Sequence, residues 1–423
     1  MSRRIALVVP AFPRVSETFI VSKFLGLLER GWDVHVVCDR SDDAEWARFP
    51  RLTGVPTLRD RVHVSWPHRP RWKASLLAPL ALSLCIVTAP ARALFYLVRG
   101  GKKFGLGVFR RMYLDVELIR LGCDLVHFEF GALAAGRMDL QDLLGCPIVV
   151  SFRGYDLSYV GLEEPDFYAQ VWQRAAALHL LGEDLWCRAV RRGCPPEKPH
   201  ALIAPAIDAG FFDPTGRERP TNAGKLLRIL SVGRLEWKKG YEDALVAVRK
   251  LLDRGIDCEY RILGDGDFLG ALAFGRHQLG LADRVTFLGA GSRDDVRAEM
   301  LKADVLLHAA VSEGFCNAVL EAQAMKLPVV CTDADGLPEN VENGVTGIVV
   351  ARGNPEALAD AVAELAADPE RRRRMGEAGR ARVAARFRPE EQISAFTDLY
   401  RGVLAGRPGG QRSSGPETSG VPA

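Results

Sequence analysis

The sequence holds no C-x-x-C pair, no uninterrupted apolar run of comfortable transmembrane length and no large excess of either charge. Its nine cysteines are odd in number, and most sit in apolar, strand-like runs. They are expected to be buried free thiols of a reducing compartment, and no structural zinc site is expected. The opening MSRRIALVVPAFPR reaches Pro10 and Arg14 after a short apolar run, so it is expected to form a first strand rather than a cleaved signal. A net charge of +3 gives composition no case for nucleic-acid binding.

What is present fits a folded α/β protein. With 423 residues, 48% apolar and 26% charged, two domains of about 200 residues each are the default. Ile5–Val9 has the continuous apolar character of a buried parallel strand. Ser16 then offers an N-cap for a helix carrying Phe19, Ile20, Phe24, Leu27 and Leu28, closed by Gly31, and Val34–Cys38 resumes strand character. Further strands are expected at 124–130, 147–152 and 177–181, then at 226–232, 260–263, 285–288, 305–308, 329–331 and 347–350, alternating with helical patterns. Around Pro214–Gly224 the composition turns to Pro, Gly, Thr and Arg, which marks a linker.

One stretch keeps three readings open. Ala74–Ala91 has eighteen residues without a charge, interrupted by Pro79 and Pro90, with basic flanks from His68 to Lys73 and from Arg99 to Arg111. It reads as a buried helix, as a surface that dips into an anionic membrane, or as a true span. The arginines at 371–388 alternate with alanines and acids, the pattern of a solvated helix face rather than of a nucleic-acid site.

The chemistry concentrates around Glu313 and Glu321. A strand at 303–307, a loop holding Glu313 and Gly314, and a helix from Phe315 carrying Glu321 would place both carboxylates at the carboxyl end of a parallel sheet, where such sheets bind ligands. Free backbone N–H groups at Gly314, Phe315, Cys316 and Asn317 suit an anion. Glu321 has the chemistry to accept two hydroxyl hydrogen bonds from a ribose. Upstream, Ser231–Gly240 ends a strand at Gly233, and Arg234 and Lys239 are spaced to reach a diphosphate.

Taken together, SVGRLEWKKG, Gly264-Asp265-Gly266, Phe287-Leu288-Gly289, EGFCNAVLEA and DADGLPENVENGVTG resemble the retaining glycosyltransferases of family 4, which have the GT-B fold. FPRVSETFI, SFRGYDLS and the run from Leu181 to Asp208 extend the resemblance into the first half, in the manner of the exopolysaccharide and colanic-acid subgroup. The resemblance implies two Rossmann-like domains facing each other across a cleft. Residues 1–213 would bind the acceptor, 214–224 would link, 225–385 would bind the nucleotide sugar, 386–405 would form a helix returning to the first domain, and 406–423 would be a disordered tail.

It further implies Glu313, Arg234, Lys239 and Arg153 as catalytic residues. Gly233, Gly314, Phe315, Cys316, Asn317, Glu321, Gly264 and Gly289 would hold the donor, and Ser16, Glu17 and Asp156 would line the acceptor side. The donor would be a UDP- or GDP-sugar with no cofactor and no metal. The acceptor would be a glycan or lipid-linked glycan, met in the cytoplasm with possible membrane contact through residues 68–111. Retention suggests same-face attack assisted by the leaving phosphate, since one of the two carboxylates is expected on the ribose. Arg153 stands where the family commonly has His, so it either keeps a hydrogen-bond donor or meets an acidic substrate, and it cannot serve as a base. A silent sugar-nucleotide-binding subunit is the alternative. His127, in a strand-like run, is expected to be a satisfied core or cleft-edge histidine.

Overall fold

A computed structural model describes residues 3–215 and 226–406, apart from the side chain of Ser16. The expected 406–423 tail and most of the expected linker therefore lie outside the described residues. Two compact units emerge, one of Met1–Ile203 with Gln392–Ala423 and the other of Ala204–Glu391.

In the first unit β1 (Arg4–Ala11), β2 (Asp33–Arg40), β3 (Val62–Val64), β4 (Leu125–Phe128), β5 (Ile148–Phe152), β6 (Ala177–Leu180) and β7 (His200–Leu202) form one parallel sheet in the order β3-β2-β1-β4-β5-β6-β7. The second unit repeats the plan with β8 (Leu227–Val232), β9 (Cys258–Leu263), β10 (Val285–Gly289), β11 (Val305–His308), β12 (Val329–Thr332) and β13 (Gly347–Val350), ordered β10-β9-β8-β11-β12-β13. In both sheets the strand order reverses beside the first strand. Loops leaving β1 and β4, and loops leaving β8 and β11, therefore open a crevice at the carboxyl edge, the place where such folds seat ligands.

Several boundaries differ from expectation, each for a packing reason. The second unit begins at Ala204, because Ile207 and Phe212 are buried in its core and the Ile207 N–H donates to the Phe387 carbonyl. Phe387 belongs to that core too, so the last helix starts at Pro389 and runs to Leu404. It buries Ile393, Phe396, Leu399 and Tyr400 among Ile5, Phe24 and Val34 of the first unit. A 3-10 turn occupies Val15–Glu17, so the N-cap position of the helix proper, Thr18–Glu29, falls at Glu17 rather than at Ser16, whose side chain lies outside the described residues. The arginine-rich helix Pro369–Arg386 is only partly a solvated face. Arg380 donates to the carbonyls of Phe212 and Ala324, and Arg382 donates to those of Glu339 and Asn340.

The stretch at 74–91 belongs to two helices, Arg71–Thr88 and Pro90–Phe104. Only Ala81 and Cys85 of the first are buried, which removes the reading of a core helix. The nine cysteines are all unpaired, and Cys187 alone among them is exposed.

Gly240 locks the β8 loop to the β11 loop. Its φ is +62°, and an added Cβ would lie 1.9 Å from the Ala309 carbonyl oxygen. Val311 and Ser312 N–H groups also donate to the Lys238 carbonyl, so the two loops are joined by backbone. Gly240→Ala is expected to cost about 2–4 kcal/mol, left-handed strain plus a backbone clash. Gly255→Ala, with φ +77° but open space, should cost only about 1 kcal/mol. Thermal denaturation of the pair checks this, and equal losses would mean that the loop contact contributes nothing.

Candidate active site

The β8 and β11 loops of the second unit bring together Lys239, Glu313 and His308. Lys239 Nζ contacts Glu313 Oε2, and His308 Nε2 lies 3.4 Å from the same oxygen. Burial pushes the Glu313 carboxyl up, but the Lys239 and His308 charges outweigh it and hold the group at about 2. Burial likewise opposes a charged His308, yet the Cys316 thiol and the Glu313 carboxylate beside it raise the imidazole to about 9. Lys239 is raised as well: burial lowers it, and Glu313 more than compensates. The site therefore holds a carboxylate between two cations near neutral pH.

The loop bearing Glu313 is braced from the β12 side. Asp335, itself at φ +52°, accepts from the Ser312 hydroxyl at 2.6 Å and from the Glu313 N–H at 3.2 Å, and Arg352 pairs with it at 2.9 Å. The Gly336 N–H donates to the Glu313 carbonyl, and the Gly336 Cα sits so close to the Gly314 carbonyl that a Cβ would come within 2.0 Å of its oxygen. Asn340 clamps the start of the Asn317–Ala324 helix, exchanging hydrogen bonds with the Cys316 N–H and carbonyl at 3.2 Å each. His308, Asp335, Asn340 and Arg352 were not among the sequence candidates. The only sequence signal for three of them was membership of the DADGLPENVENGVTG segment or the residues just after it.

The other candidates fall into distinct roles. Glu321 is half-buried, its carboxylate makes no hydrogen bond or ion pair among the described residues, and burial pushes it up to about 7 against the partial opposition of Arg293. Arg234 is mostly exposed and pairs with Glu236 at 2.9 Å, so its guanidinium can swing toward a ligand. Phe315 packs partly buried beside the second core, and Asn317 opens the helix. Gly233 (φ +155°), Gly264 and Gly289 lie together: a Cβ on Gly264 would come within 1.9 Å of the Gly233 carbonyl oxygen, and the Gly264 N–H donates to Gly289. These glycines shape the crevice floor by letting loops touch.

His308, Glu313 and Cys316 present ligand-type atoms within 4.8 Å of one another. The Lys239 ammonium rests on the same carboxylate, so a divalent cation would face a fixed positive charge there.

In the first unit, the β1 and β4 loops carry Glu17 and Glu129, and the β5 loop carries Arg153. Arg153 is not a free cation: its guanidinium donates to Glu129 Oε2 at 3.3 Å and stacks 3.8 Å from the Phe19 ring. The positive charge expected either to keep a hydrogen-bond donor or to meet an acidic substrate is thus paired with Glu129 within the unit. Glu17 pairs with Arg14 at 3.0 Å, and burial raises its carboxyl. Asp156 is 1% exposed and accepts the N–H groups of Ala132 at 2.9 Å and Arg153 at 3.0 Å. It ties two loops together and is buried, against the expectation that it lines the acceptor side. Behind Arg153 runs a buried chain: Lys23 donates to Glu129 at 2.5 Å, His127 joins Lys23, Tyr400 and Ser151, and Ser151 meets His179. His127 is thus a satisfied core histidine.

Two Rossmann-like units, one of them receiving the terminal helix and the other carrying a lysine–carboxylate crevice at its switch point, have the GT-B architecture. The same architecture recurs in HepE from Anabaena, whose crystal structure holds UDP and glucose: identity is 16%, coverage 95% of this chain and 100% of that one, and TM-score 0.71. Residues 214–382 match the family described as Glycosyl transferases group 1. The chain is 29% identical to the amylovoran biosynthesis glycosyltransferase AmsK of Erwinia amylovora, over 82% of this chain and 87% of that one. It is also 29% identical to the colanic acid biosynthesis glycosyltransferase WcaL of Salmonella typhimurium, over 84% and 88% respectively. The chain is a glycosyltransferase with a group 1 domain.

Proposed function

We propose that this glycosyltransferase moves a sugar, with retention at the anomeric carbon and without a metal, from a UDP- or GDP-sugar to a glycan or lipid-linked acceptor at the inner face of the membrane, in the assembly of an exopolysaccharide or related surface glycan. The observation that carries the reading is the division between two glutamates: Glu313 neutralised by Lys239 and His308, and a Glu321 carboxylate with no hydrogen-bond or ion-pair partner among the described residues. The names of AmsK and WcaL support the polysaccharide setting.

Glu321 accepts the ribose hydroxyls. The leaving diphosphate meets the N–H groups of Gly314 and Phe315, the guanidinium of Arg234, and the two ammonium donors of Lys239 that Glu313 does not use. Glu313 lies against the transferred sugar and stabilises the positive charge that grows on its anomeric carbon. The acceptor hydroxyl attacks on the face that the phosphate leaves, and a departing phosphate oxygen takes its proton. Positioning and fixed charge supply the acceleration.

A thermal-shift screen of nucleotide sugars identifies the donor. Acceptor-dependent release of nucleoside diphosphate then tests transfer. Donor binding with no release across a broad acceptor panel would overturn the proposal in favour of a silent subunit.

Glu321 gives a pH-resolved prediction. Its folded value of about 7 stands above the ordinary 4.5, so the chain loses stability as pH rises through that window. Glu321→Gln is expected to be about 1–3 kcal/mol more stable than the parent at pH 8 and equal to it at pH 4. The same change should weaken nucleotide binding roughly 10- to 100-fold at pH 8, through lost charge-assisted hydrogen bonds. Unchanged nucleotide affinity would remove Glu321 from the ribose.

A further inference from the structure

The Arg71–Thr88 helix turns an apolar stripe to solvent. Trp72 (69% exposed), Leu76 (72%), Leu80 (61%) and Val87 (78%) follow the spacing of one helix face, while Ala81 and Cys85 pack inward. The next helix exposes Leu94 and Val98, and Leu106 and Phe109 follow. Isolated exposed leucines are ordinary in soluble proteins; a contiguous helix face of them is not.

Charge marks what covers this face. From Arg61 to Leu114 the sequence has ten Lys and Arg and no Asp or Glu, in a chain whose net charge is only +3. Some of these cations are engaged: Arg92 caps carbonyls of the Gly107–Leu121 helix, and Lys103 and Arg111 pair with Asp139. Arg69, Arg71, Lys73, Lys102 and Arg110 are exposed and make no ion pair among the described residues. Three of them surround the start of the Arg71–Thr88 helix, whose first turn has no acid. Cations at the positive end of a helix dipole repel it, and an external anion relieves the repulsion.

We propose that this face is a docking surface for an anionic phospholipid bilayer: the stripe from Trp72 to Val87 sinks to the headgroup and upper acyl level, while Arg69, Arg71 and Lys73 hold lipid phosphates. The helix lies along the interface and does not span, because its inner face is packed on the first unit through Ala81 and Cys85. The inference rests on the reading above only in that a lipid-linked acceptor would be presented at this surface. Bilayer binding involves no transfer step, so failure of either leaves the other standing.

Co-sedimentation of the full chain with vesicles of phosphatidylcholine alone, and of phosphatidylcholine with phosphatidylglycerol, tests it. Binding should be at least about tenfold tighter to the anionic vesicles at low salt and should fall as salt rises. Leu76→Glu with Leu80→Glu should lower partition by about tenfold or more with thermal unfolding unchanged, and Arg71→Glu with Lys73→Glu should remove most of the salt dependence. A chain that stays in the supernatant with both vesicles overturns the proposal, as does binding that neither double variant alters. Light scattering that shows a dimer broken by Leu76→Glu also overturns it, assigning the face to a second copy.

Discussion

Glu313→Gln is expected to lower kcat roughly a hundred- to ten-thousand-fold while donor KM moves only a few-fold. The substitution keeps size and hydrogen-bonding reach and removes the charge, so it isolates electrostatic stabilisation of the anomeric carbon. Lys239→Ala acts differently. It takes away the cation that holds the Glu313 carboxyl at about 2 and also a donor to the leaving phosphate, so kcat and KM should both suffer. The sign in pH follows: with Lys239 present Glu313 is ionised throughout the neutral and mildly acid range, so the parent profile needs no acid limb from this group. Without Lys239 only His308 opposes burial, so the carboxyl pKa rises and activity should fall toward low pH in a limb placed higher than any in the parent. Steady-state kinetics between pH 5 and about 8 would read this out. If Glu313→Gln weakened donor binding strongly yet left turnover at saturation intact, the roles given to the two glutamates would be wrong.

Much of this arrangement was legible in the sequence, since it depends on local features. Buried parallel strands read as continuous apolar runs, and a glycine or glutamate following such a run marks a loop at the carboxyl edge. Gly233, Arg234, Lys239, Glu313 and Glu321 were found that way. Long-range complementarity was not legible. Lys239 and Glu313 lie 74 positions apart, and nothing in either segment shows that their charged atoms touch. Asp335, after β12, and Arg352, after β13, brace the Glu313 loop from other strands' loops, which the β11-β12 and β12-β13 pairings bring near.

Burial misled in both directions. Glu129 follows an apolar strand, and nothing local shows that it is 0% exposed and serves as the counter-ion of Arg153. Asp156 resembled a cleft residue and is a loop clamp. The Arg71–Thr88 helix had the composition of a core element, and its small inward residues Ala81 and Cys85 need only a shallow contact, which leaves the large side chains outside.

The second large effect belongs to that hidden counter-ion. Glu129 lies between Lys23 Nζ at 2.5 Å and Arg153 at 3.3 Å, and His127 contacts the same lysine. Burial would raise the Glu129 carboxyl, but Lys23 and Arg153 outweigh it and lower it; burial takes Lys23 down to about 8, with Glu129 resisting. Glu129→Gln leaves Lys23 in the core without its carboxylate and breaks the Arg153 pair, and is expected to cost about 3–5 kcal/mol. Lys23→Met should cost less, about 1–3 kcal/mol, because Arg153 still neutralises Glu129. The double change Lys23→Met with Glu129→Gln removes both charges and should recover most of the loss. Denaturant melts of all four proteins measure this coupling, and a nucleotide thermal shift retained by each variant would show that the second unit is intact. If the double variant were as unstable as the sum of the two singles, the carboxylate would not be acting as counter-ion to Lys23, and the support it lends to Arg153 would need another source.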